Sequence, residues 1–218
     1  MTQKIIPAIG FKIVGDTWSG ARPLRPLQQV LSHQYRDWRI PARFVRNALW
    51  SIVPPGAALR GWEISEVVGE NEQRFPCVGA LRSDLFFKYL QACPTATIRL
   101  FEIRQDGCRM GRIALSVVHG QARIAGIWLN NPTEENLYFA YVLAQRAARA
   151  MGSAFEITTT GSTPASERAA ISAGMRIRKH TPIYLLSDKV SAPPGTFDFQ
   201  MIDTDAVFQS AGEPSYWT

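Results

Sequence analysis

The alternation of apolar and polar positions divides the middle of the chain into short strands. Apolar residues alternate with polar or small ones in LRGWEISEVV (59–68) and in three further runs at 96–104, 110–118 and 121–129. A period of two is typical of strands with one buried face. The spacers between the last three runs contain Asp-Gly and a single Gly, which favour tight hairpins, so the pattern predicts an antiparallel meander.

The apolar period changes from two to 3.6 residues directly after this meander. Residues 132–151 predict a helix with one apolar stripe, at Leu137, Ala140, Tyr141, Ala144, Ala148 and Met151. Asn131 is suited to cap this helix, with Pro132 at the first helical position and Glu134 reaching back as a capping box. Such a helix supplies the crossover of a parallel pair, so the next strand, at 154–160, is predicted to run parallel to 121–129.

The remaining pattern adds elements on both sides of this unit. A helix is predicted at 82–93, capped by Ser83 and stopped by Pro94. PASERAAISA (164–173) predicts another, for which Ser162 or Thr163 provides the cap. A pair of strands at 175–179 and 182–187 follows, and FDFQMI (197–202) predicts an edge strand in the tail. These elements together predict an α+β fold.

Charge and composition set the first quarter of the chain apart. Residues 1–50 hold eight Lys or Arg against two Asp, which accounts for the whole net charge of +6. PARFVRNALWSIV (41–53) predicts a helix whose apolar face carries Phe44, Val45, Ala48, Leu49 and Ile52. Pro54, Pro55 and Gly56 then break the chain. We therefore predict a basic N-terminal arm with an amphipathic helix (1–55), a globular domain (56–190) and a C-terminal tail (191–218).

The basic arm admits several kinds of partner. Its arginines lie among Trp18, Trp38 and Trp50, an arrangement suited to stacking on nucleic-acid bases. The helix at 41–53 is also suited to an anionic bilayer. The simplest use of its apolar face is to pack on the domain itself, on a protein partner or on a second copy of the chain. We predict such a contact, with the arginines at its rim, and nucleic acid as a less favoured partner.

Composition narrows the class of protein. The 218 residues are 46% hydrophobic and 19% charged, which is typical of a globular protein. The three cysteines and three histidines are scattered, without the spacings of metal sites, so no metal site is expected. No apolar run approaches the roughly 20 residues of a membrane helix, and the start lacks a signal-type apolar stretch. A reduced, cytoplasmic protein is expected.

The order of the predicted elements resembles that of the GNAT superfamily of acyl-CoA N-acyltransferases. A local match is ERAAISAGMRIRKHTPIYLL (167–186), similar to the family's helix ending in Gly-Phe before a strand, here with Met175 in place of the Phe. The resemblance covers residues 59–187. It implies a mixed, mostly antiparallel sheet with helices on both faces. It also implies acyl transfer from acetyl-CoA or another acyl-CoA to the amine of a small molecule.

The resemblance also locates a cofactor site. In the family, acyl-CoA lies where the fourth and fifth strands separate, and its pyrophosphate contacts backbone N–H groups at the start of the following helix. In this chain that start is the loop 130–136, and a second loop, TTTGSTPAS (158–166), offers hydroxyls to an anion or, alternatively, to helix capping. The candidate cofactor-binding residues are Trp128, Asn130, Asn131, Thr133, Ser162 and Thr163.

The sequence departs from the family pattern where the chemistry takes place. The glycine-rich phosphate motif is absent, Pro132 removes one donor, and Glu134 and Glu135 occupy the helix start. Each carboxylate stabilises the helix by about 0.3–1 kcal/mol but repels a pyrophosphate. The tyrosine that many members use as a general acid is Ala170 here. Glu156 is the candidate general base, and its alternative role is a strand carboxylate facing solvent or paired with an arginine.

Three functions remain open from the sequence. The first is an N-acyltransferase with a degenerate acyl-CoA site. The second is a catalytically inactive GNAT-like domain that acts as a binding or interaction module, such as one half of a tandem arrangement. The third is a basic module that binds nucleic acid or membrane through the arm.

Overall fold

We describe the fold from a computed structural model, which covers residues 11–32, 39–52, 59–67, 84–92, 96–118, 120–185 and 198–203. Its strands are β1 (Lys12–Pro23), β2 (Trp62–Glu66), β3 (Thr97–Gln105), β4 (Cys108–Val118), β5 (Gln121–Leu129), β6 (Glu156–Gly161) and β7 (Arg176–Leu185). Its helices are α1 (Pro26–Ser32), α2 (Ile40–Ser51), α3 (Asp84–Gln91), α4 (Glu134–Ala150) and α5 (Pro164–Ser172), with a 3₁₀ turn at Met201–Asp203. The described strands form one sheet in the order β2-β3-β4-β5-β6-β1-β7.

The predicted meander and crossover are confirmed. β3, β4 and β5 are consecutive antiparallel neighbours, and β6 runs parallel to β5 after the crossover through α4. The β3–β4 hairpin turns through Asp106 and Gly107, whose positive φ values of 48° and 78° suit a two-residue turn of type I′. The sheet is therefore mixed and mostly antiparallel, and the α+β class is confirmed.

The predicted N-terminal arm is wrong for the residues of β1. This strand lies inside the sheet and pairs antiparallel on both sides, with Trp18 opposite Gly161 of β6 and His180 of β7. A domain boundary near residue 55 would therefore cut the sheet. The strand has no clear apolar alternation, and it contains Gly15 and Gly20, a residue type depleted in strands, so its pattern resembled an irregular segment.

The second helix forms where the sequence predicts it but buries a different face. Its buried residues are Asn47 and Trp50. Asn47 donates a hydrogen bond to the side-chain oxygen of buried Gln29 in α1 at 3.1 Å, and the Trp50 indole donates to the carbonyl of Gly174 at 2.9 Å. These bonds hold the polar side inward. Of the apolar face predicted to pack, Phe44 and Ala48 are half-buried, and the larger aliphatic side chains are exposed: Val45, Leu49 and Ile52.

Two predictions near the C-terminus also need correction. The strand pair at 175–179 and 182–187 is one continuous strand, β7. Pro182 does not interrupt it because β7 is at the edge of the sheet, where a residue without an N–H is tolerated. The edge strand at 197–202 is not formed, since residues 198–200 are irregular and lead into the 3₁₀ turn. The rest of the predicted tail lies outside the described residues.

Buried side chains cover both faces of the sheet. One cluster joins α4 and α5 to the sheet, and it contains the predicted apolar stripe of α4 with Met151 packed against it. The other joins α3 and the 3₁₀ turn to β3, β4 and β5. Helices therefore lie on both faces, as the resemblance implies. None of the helices in the described part of the chain is long and apolar enough to cross a membrane.

Candidate functional site

The two parallel strands separate towards their carboxyl ends. Pairing between β5 and β6 begins at Gln121 opposite Glu156 and stops at Ile124 opposite Thr159. Beyond this point the ends of the two strands, 125–129 and 160–161, no longer pair with each other, and we call the place between them, at the carboxyl edge of the sheet, the opening. The starts of α4 and α5 lie at the same edge, because each helix follows one of these strands.

A bulge in β5 accounts for the separation. On the neighbouring strand β4, Leu115 pairs with Ile124 and Ala114 pairs with Gly126, so Ala125 is the additional residue. A bulge bends its strand and increases the local twist. The end of β5 consequently stays paired with β4 and turns away from β6.

The start of α4 satisfies its own backbone at this opening. Thr133 caps the helix, and its hydroxyl accepts a hydrogen bond from the N–H of Asn136 at 3.2 Å. The Asn136 side chain donates to the carbonyl of Asn131 at 2.9 Å. The predicted cap at Asn131, with a capping box through Glu134, is therefore wrong by two residues, and Pro132 precedes the helix.

Negative charge accumulates at the same helix end. Glu134 and Glu135 occupy the first turn of α4 and are exposed. One Glu134 oxygen accepts a hydrogen bond from Arg168 of α5 at 2.7 Å. Both side chains of this pair are largely exposed, so the pair adds little to stability. It does keep a carboxylate beside the first N–H groups of the helix.

The loop before α5 uses its hydroxyls for internal contacts. Thr163 caps the helix as predicted, accepting from the N–H of Ser166 at 3.2 Å, and Pro164 takes the first helical position. The Ser162 hydroxyl accepts from the N–H of Phe199 at 2.8 Å. Both hydroxyls that the sequence offered to an anion therefore have partners within the protein.

Residues 198–202 occupy the opening, and the side chain of Gln200 makes their hydrogen bonds to β5. The Gln200 side-chain oxygen accepts from the N–H of Ile127 at 2.7 Å, and its side-chain nitrogen donates to the carbonyl of Ile127 at 3.0 Å. The nitrogen also donates to the Asp198 carboxylate at 2.8 Å, which fixes the orientation of the amide. Where β6 no longer pairs with β5, the Gln200 side chain therefore provides a hydrogen-bonding partner for the backbone of β5.

Close packing reinforces this arrangement. Met201 and Ile202 are buried in the same cluster as Trp128. A Cβ at Gly126 would collide with the Trp128 ring and come within 2.9 Å of the Gln200 side-chain oxygen, so only glycine fits there. Trp128, a predicted cofactor-binding residue, is packed in the protein interior together with residues 198–202, which we call the C-terminal segment.

A cluster of buried hydroxyl groups lies next to the opening, and the sequence pattern did not predict it. Tyr141 of α4 is predicted from the sequence only as part of an apolar stripe, but its hydroxyl hydrogen-bonds with Thr159 and Ser166. Burial raises the pKa of this phenol, and nearby Asp198 raises it further. The Ser166 hydroxyl also accepts from the Trp18 indole at 3.3 Å. Tyr141 is therefore a neutral group that joins α4 to β6 and α5.

Glu156, the predicted general base, lies at the closed end of the strand pair. It is the first residue of β6 and is fully buried, and it accepts a hydrogen bond from the Gln121 side chain at 2.7 Å. The Gln121 oxygen accepts in turn from Arg123 at 2.8 Å. Gly161 at the open end is five residues away, about 17 Å at about 3.3 Å per strand residue. This position does not fit a base acting at the opening.

The six predicted cofactor-binding residues, in contrast, share one edge of the sheet. They are Trp128, Asn130, Asn131 and Thr133 after or within β5, and Ser162 and Thr163 after β6. Asn130 donates from its side chain to the carbonyl of Arg109 at 3.0 Å. Among the described residues, no group of three His, Cys, Asp or Glu side chains is placed to hold a metal ion.

Comparison with known proteins yields matches among solved structures only. No protein-family model and no curated protein matches the chain. A GCN5-related N-acetyltransferase from Anabaena variabilis aligns at 11% identity and a TM-score of 0.46, over 83% of this chain and 42% of that one. A conserved protein of unknown function from Enterococcus faecalis, described as a probable N-acyltransferase, aligns at 11% identity and a TM-score of 0.46, over 83% of this chain and 41% of that one. A GCN5-related N-acetyltransferase from Kribbella flavida aligns at 14% identity and a TM-score of 0.41, over 83% of this chain and 62% of that one.

This chain thus spans 41% to 62% of the length of these three proteins. Because the TM-scores are below 0.5, the assignment of the fold depends on the strands themselves. An antiparallel meander, a crossover helix and a parallel strand that separates from its neighbour are the arrangement that the sequence resemblance implies. The chain has a GNAT-like fold.

Proposed function

We propose that the chain is a GNAT-like domain with a degenerate acyl-CoA site, which its own C-terminal segment fills. It binds acyl-CoA weakly or not at all and serves as a binding or interaction domain. The observation that carries this proposal is the pair of hydrogen bonds between the Gln200 side-chain amide and the backbone of Ile127.

The position of Gln200 competes directly with any extended ligand in the opening. The N–H and carbonyl of Ile127 belong to the part of β5 beyond its pairing with β6, and Gln200 binds both. Each of these bonds contributes about 0.5–1.5 kcal/mol. Burial of Met201 and Ile202 holds the segment in place. A ligand lying along β5 must therefore first displace the segment.

The helix start opposes the phosphates of acyl-CoA as well. A pyrophosphate needs unpaired N–H groups and the positive end of the helix. The Thr133 hydroxyl already accepts from one N–H, Pro132 supplies none, and Glu134 and Glu135 place negative charge at the helix end. The residues at this edge do not fit acyl-CoA.

The groups needed for acyl transfer are also displaced or missing among the described residues. Ala170, at the position of the family's general acid, is fully buried and carries no ionisable group. Glu156 is buried at the closed end of the strand pair with Gln121 as its partner. Tyr141 is near the opening, but burial raises the pKa of its phenol, so the group stays protonated and does not accept a proton near neutral pH.

Calorimetric titration with acetyl-CoA tests this proposal. We expect the wild-type chain to bind weakly or not at all, and low-micromolar binding would contradict the proposal. Glu134→Gln/Glu135→Gln should strengthen any residual binding, because it removes two charges from the helix end. Glu63→Gln/Glu66→Gln, an equal change of charge on exposed positions of β2, is the matched control and should have no effect.

Removing the competing amide gives a second arm of the same experiment. Gln200→Ala should raise the affinity for acetyl-CoA about tenfold, because the ligand no longer displaces two hydrogen bonds of about 0.5–1.5 kcal/mol each. Gln91→Ala, on the exposed side of α3, is its control. Equal affinities of the wild type and Gln200→Ala would show that Gln200 does not close the site.

Acyl transfer to a small-molecule amine is the second candidate function. The observation in its favour is that β5 and β6 still separate at the Ala125 bulge, which leaves room for an extended ligand once the segment moves. Acetyl-CoA consumption by Gln200→Ala in the presence of simple primary amines, above the rate without protein, would favour this candidate over the first.

A further inference from the structure

The two N-terminal helices direct polar side chains inward and aliphatic ones outward. On α1, buried Gln29 lies between Leu27 and Leu31, and Leu31 is 75% exposed. On α2, buried Asn47 lies between Val45 and Leu49, and Leu49 is 67% exposed. Residues four positions apart share a face of a helix, so each exposed pair lies opposite the buried amide. This orientation is the reverse of that of an ordinary surface helix.

These outward side chains form one feature, the aliphatic face. The two helices pack against each other and share the Gln29–Asn47 hydrogen bond, so both exposed pairs belong to one two-helix unit. Five of the eight exposed large hydrophobic side chains of the described residues lie here: Leu27, Leu31, Val45, Leu49 and Ile52. Such clustering is unusual for a solvated surface and indicates a binding surface.

Arginines lie beside the aliphatic face, and we refer to them as the arginine flank: Arg39 directly before α2, Arg43 and Arg46 of α2, and Arg176 and Arg178 of β7. The last two lie over the Trp50 ring, at 4.2 and 5.1 Å from its centre. Burial lowers the pKa of Arg178, and the charges of Arg46 and Arg176 lower it further, which reflects their closeness. Neither α1 nor α2 contains an acidic residue.

We infer that the aliphatic face docks on the surface of an anionic lipid bilayer. Aliphatic side chains on one side of short helices, with basic residues beside them, are typical of helices that lie in the interfacial region. The arginine flank would contact acidic headgroups while the aliphatic side chains enter the boundary of the acyl chains. This inference is independent of the proposed function at the strand opening.

Charge and composition favour the bilayer over other occupants. A second copy docked face to face would bring two arginine flanks together, and like charges oppose such a contact. Protein interfaces are enriched in aromatic side chains at their centre, whereas the five residues of the aliphatic face are all Leu, Val or Ile. An anionic bilayer complements both parts of this surface.

Vesicle flotation of the full chain tests the inference. We expect binding to vesicles of phosphatidylcholine mixed with phosphatidylglycerol, little binding to phosphatidylcholine alone, and weaker binding at about 0.15 M than at about 0.01 M salt, because the Debye length shortens. Leu31→Ser/Leu49→Ser should weaken binding at least about tenfold, since two large aliphatic groups no longer leave water. Ile13→Ser/Ile171→Ser changes exposed aliphatic residues elsewhere and is the matched control.

The charge contribution has its own pair of variants. Arg43→Gln/Arg46→Gln should weaken binding to the anionic vesicles about fivefold for each arginine. Arg60→Gln/Arg146→Gln, at exposed positions away from α2, should leave binding unchanged. Circular dichroism establishes that each variant is folded. The comparison of the two vesicle types uses the wild-type protein alone, so it does not depend on the folding of a variant.

Several outcomes would overturn the inference. One is that the wild type stays off both vesicle types at both ionic strengths. Others are equal binding to neutral and anionic vesicles, or control variants that lose as much as the test variants. Self-association in size-exclusion chromatography that Leu31→Ser/Leu49→Ser abolishes would instead identify a second copy of the chain as the occupant.

Discussion

At the scale of single residues, Arg22 shows how a basic residue is used inside this protein. Its guanidinium is buried, and it donates to the carbonyls of Ala173 at 2.6 Å and Ile52 at 2.9 Å, just past the ends of α5 and α2. Helix carboxyl ends carry partial negative charge, which compensates the cation without a carboxylate. Burial and the nearby charge of Arg149 lower the pKa of Arg22 to about 10. The sequence alone places this residue in an exposed basic arm, which is wrong.

Arg22→Met is expected to destabilise the protein by about 2–4 kcal/mol, because buried carbonyls left without a donor cost about 1–3 kcal/mol each. Urea unfolding followed by circular dichroism measures the loss. Arg146→Met, on the exposed side of α4, should change the free energy of unfolding by less than about 0.5 kcal/mol. Similar losses in the two variants would contradict a structural role for Arg22.

The sequence predicts those residues of the candidate site whose partners are close to them along the chain. Thr133 and Thr163 lie where a strand turns into a helix, and such turns are evident from the change of period and from the residue types. Gln200 acts across 73 residues of sequence, on the backbone of Ile127. A lone glutamine in a tail has no periodicity and no spacing that indicates such a partner. The burial of Glu156 could not be predicted, because the pattern places its strand along the chain but does not give the depth of the strand in the sheet.

At the scale of elements, the sequence pattern does not reveal β1 or the short helix α1 that follows it. The meander and α4 were predictable because each repeats its apolar residues over nine or more positions. β1 pairs on both sides with strands near the other end of the sequence, and its glycines weaken any alternation. The orientation of α2 was missed for a related reason. Its buried face depends on Gln29 and Gly174, which are distant in sequence.

A chain that begins at residue 41 is therefore expected to lose its fold, because β6 and β7 lose the strand between them. Far-UV circular dichroism and solubility of the truncated chain measure this loss. Leu27→Ser/Leu31→Ser keeps β1 but changes exposed residues in the same part of the sequence, so it should stay folded. A truncated chain with native-like, cooperative unfolding would contradict the central role of β1.

At the scale of the whole molecule, acidic and basic side chains lie on different surfaces. Glu134, Glu135 and Asp198 are at the strand opening, whereas the arginine flank borders the aliphatic face. The even balance of acids and bases after residue 50 hides this separation. Only the positions of the side chains in the fold reveal this separation of charge.

The two surfaces are expected to act independently, since mutations at distant sites without shared partners have additive effects. Gln200→Ala should leave binding to anionic vesicles unchanged, and Leu31→Ser/Leu49→Ser should leave the acetyl-CoA titration unchanged. Calorimetry and flotation on the same four proteins, wild type, both variants and their combination, measure this. A shift in either assay caused by the variant at the other surface would show that the two are coupled.

The position of β1 between β6 and β7 has a consequence for how the protein folds. Contacts such as the bond from the Thr17 hydroxyl to the carbonyl of Thr181 join residues 164 positions apart. Contacts with large sequence separation slow folding, because a long loop must close before they stabilise the chain. During synthesis, β1 emerges first but finds neither neighbour until β6 and β7 have been made. Until both have formed, β1 therefore presents two unpaired edges to other chains.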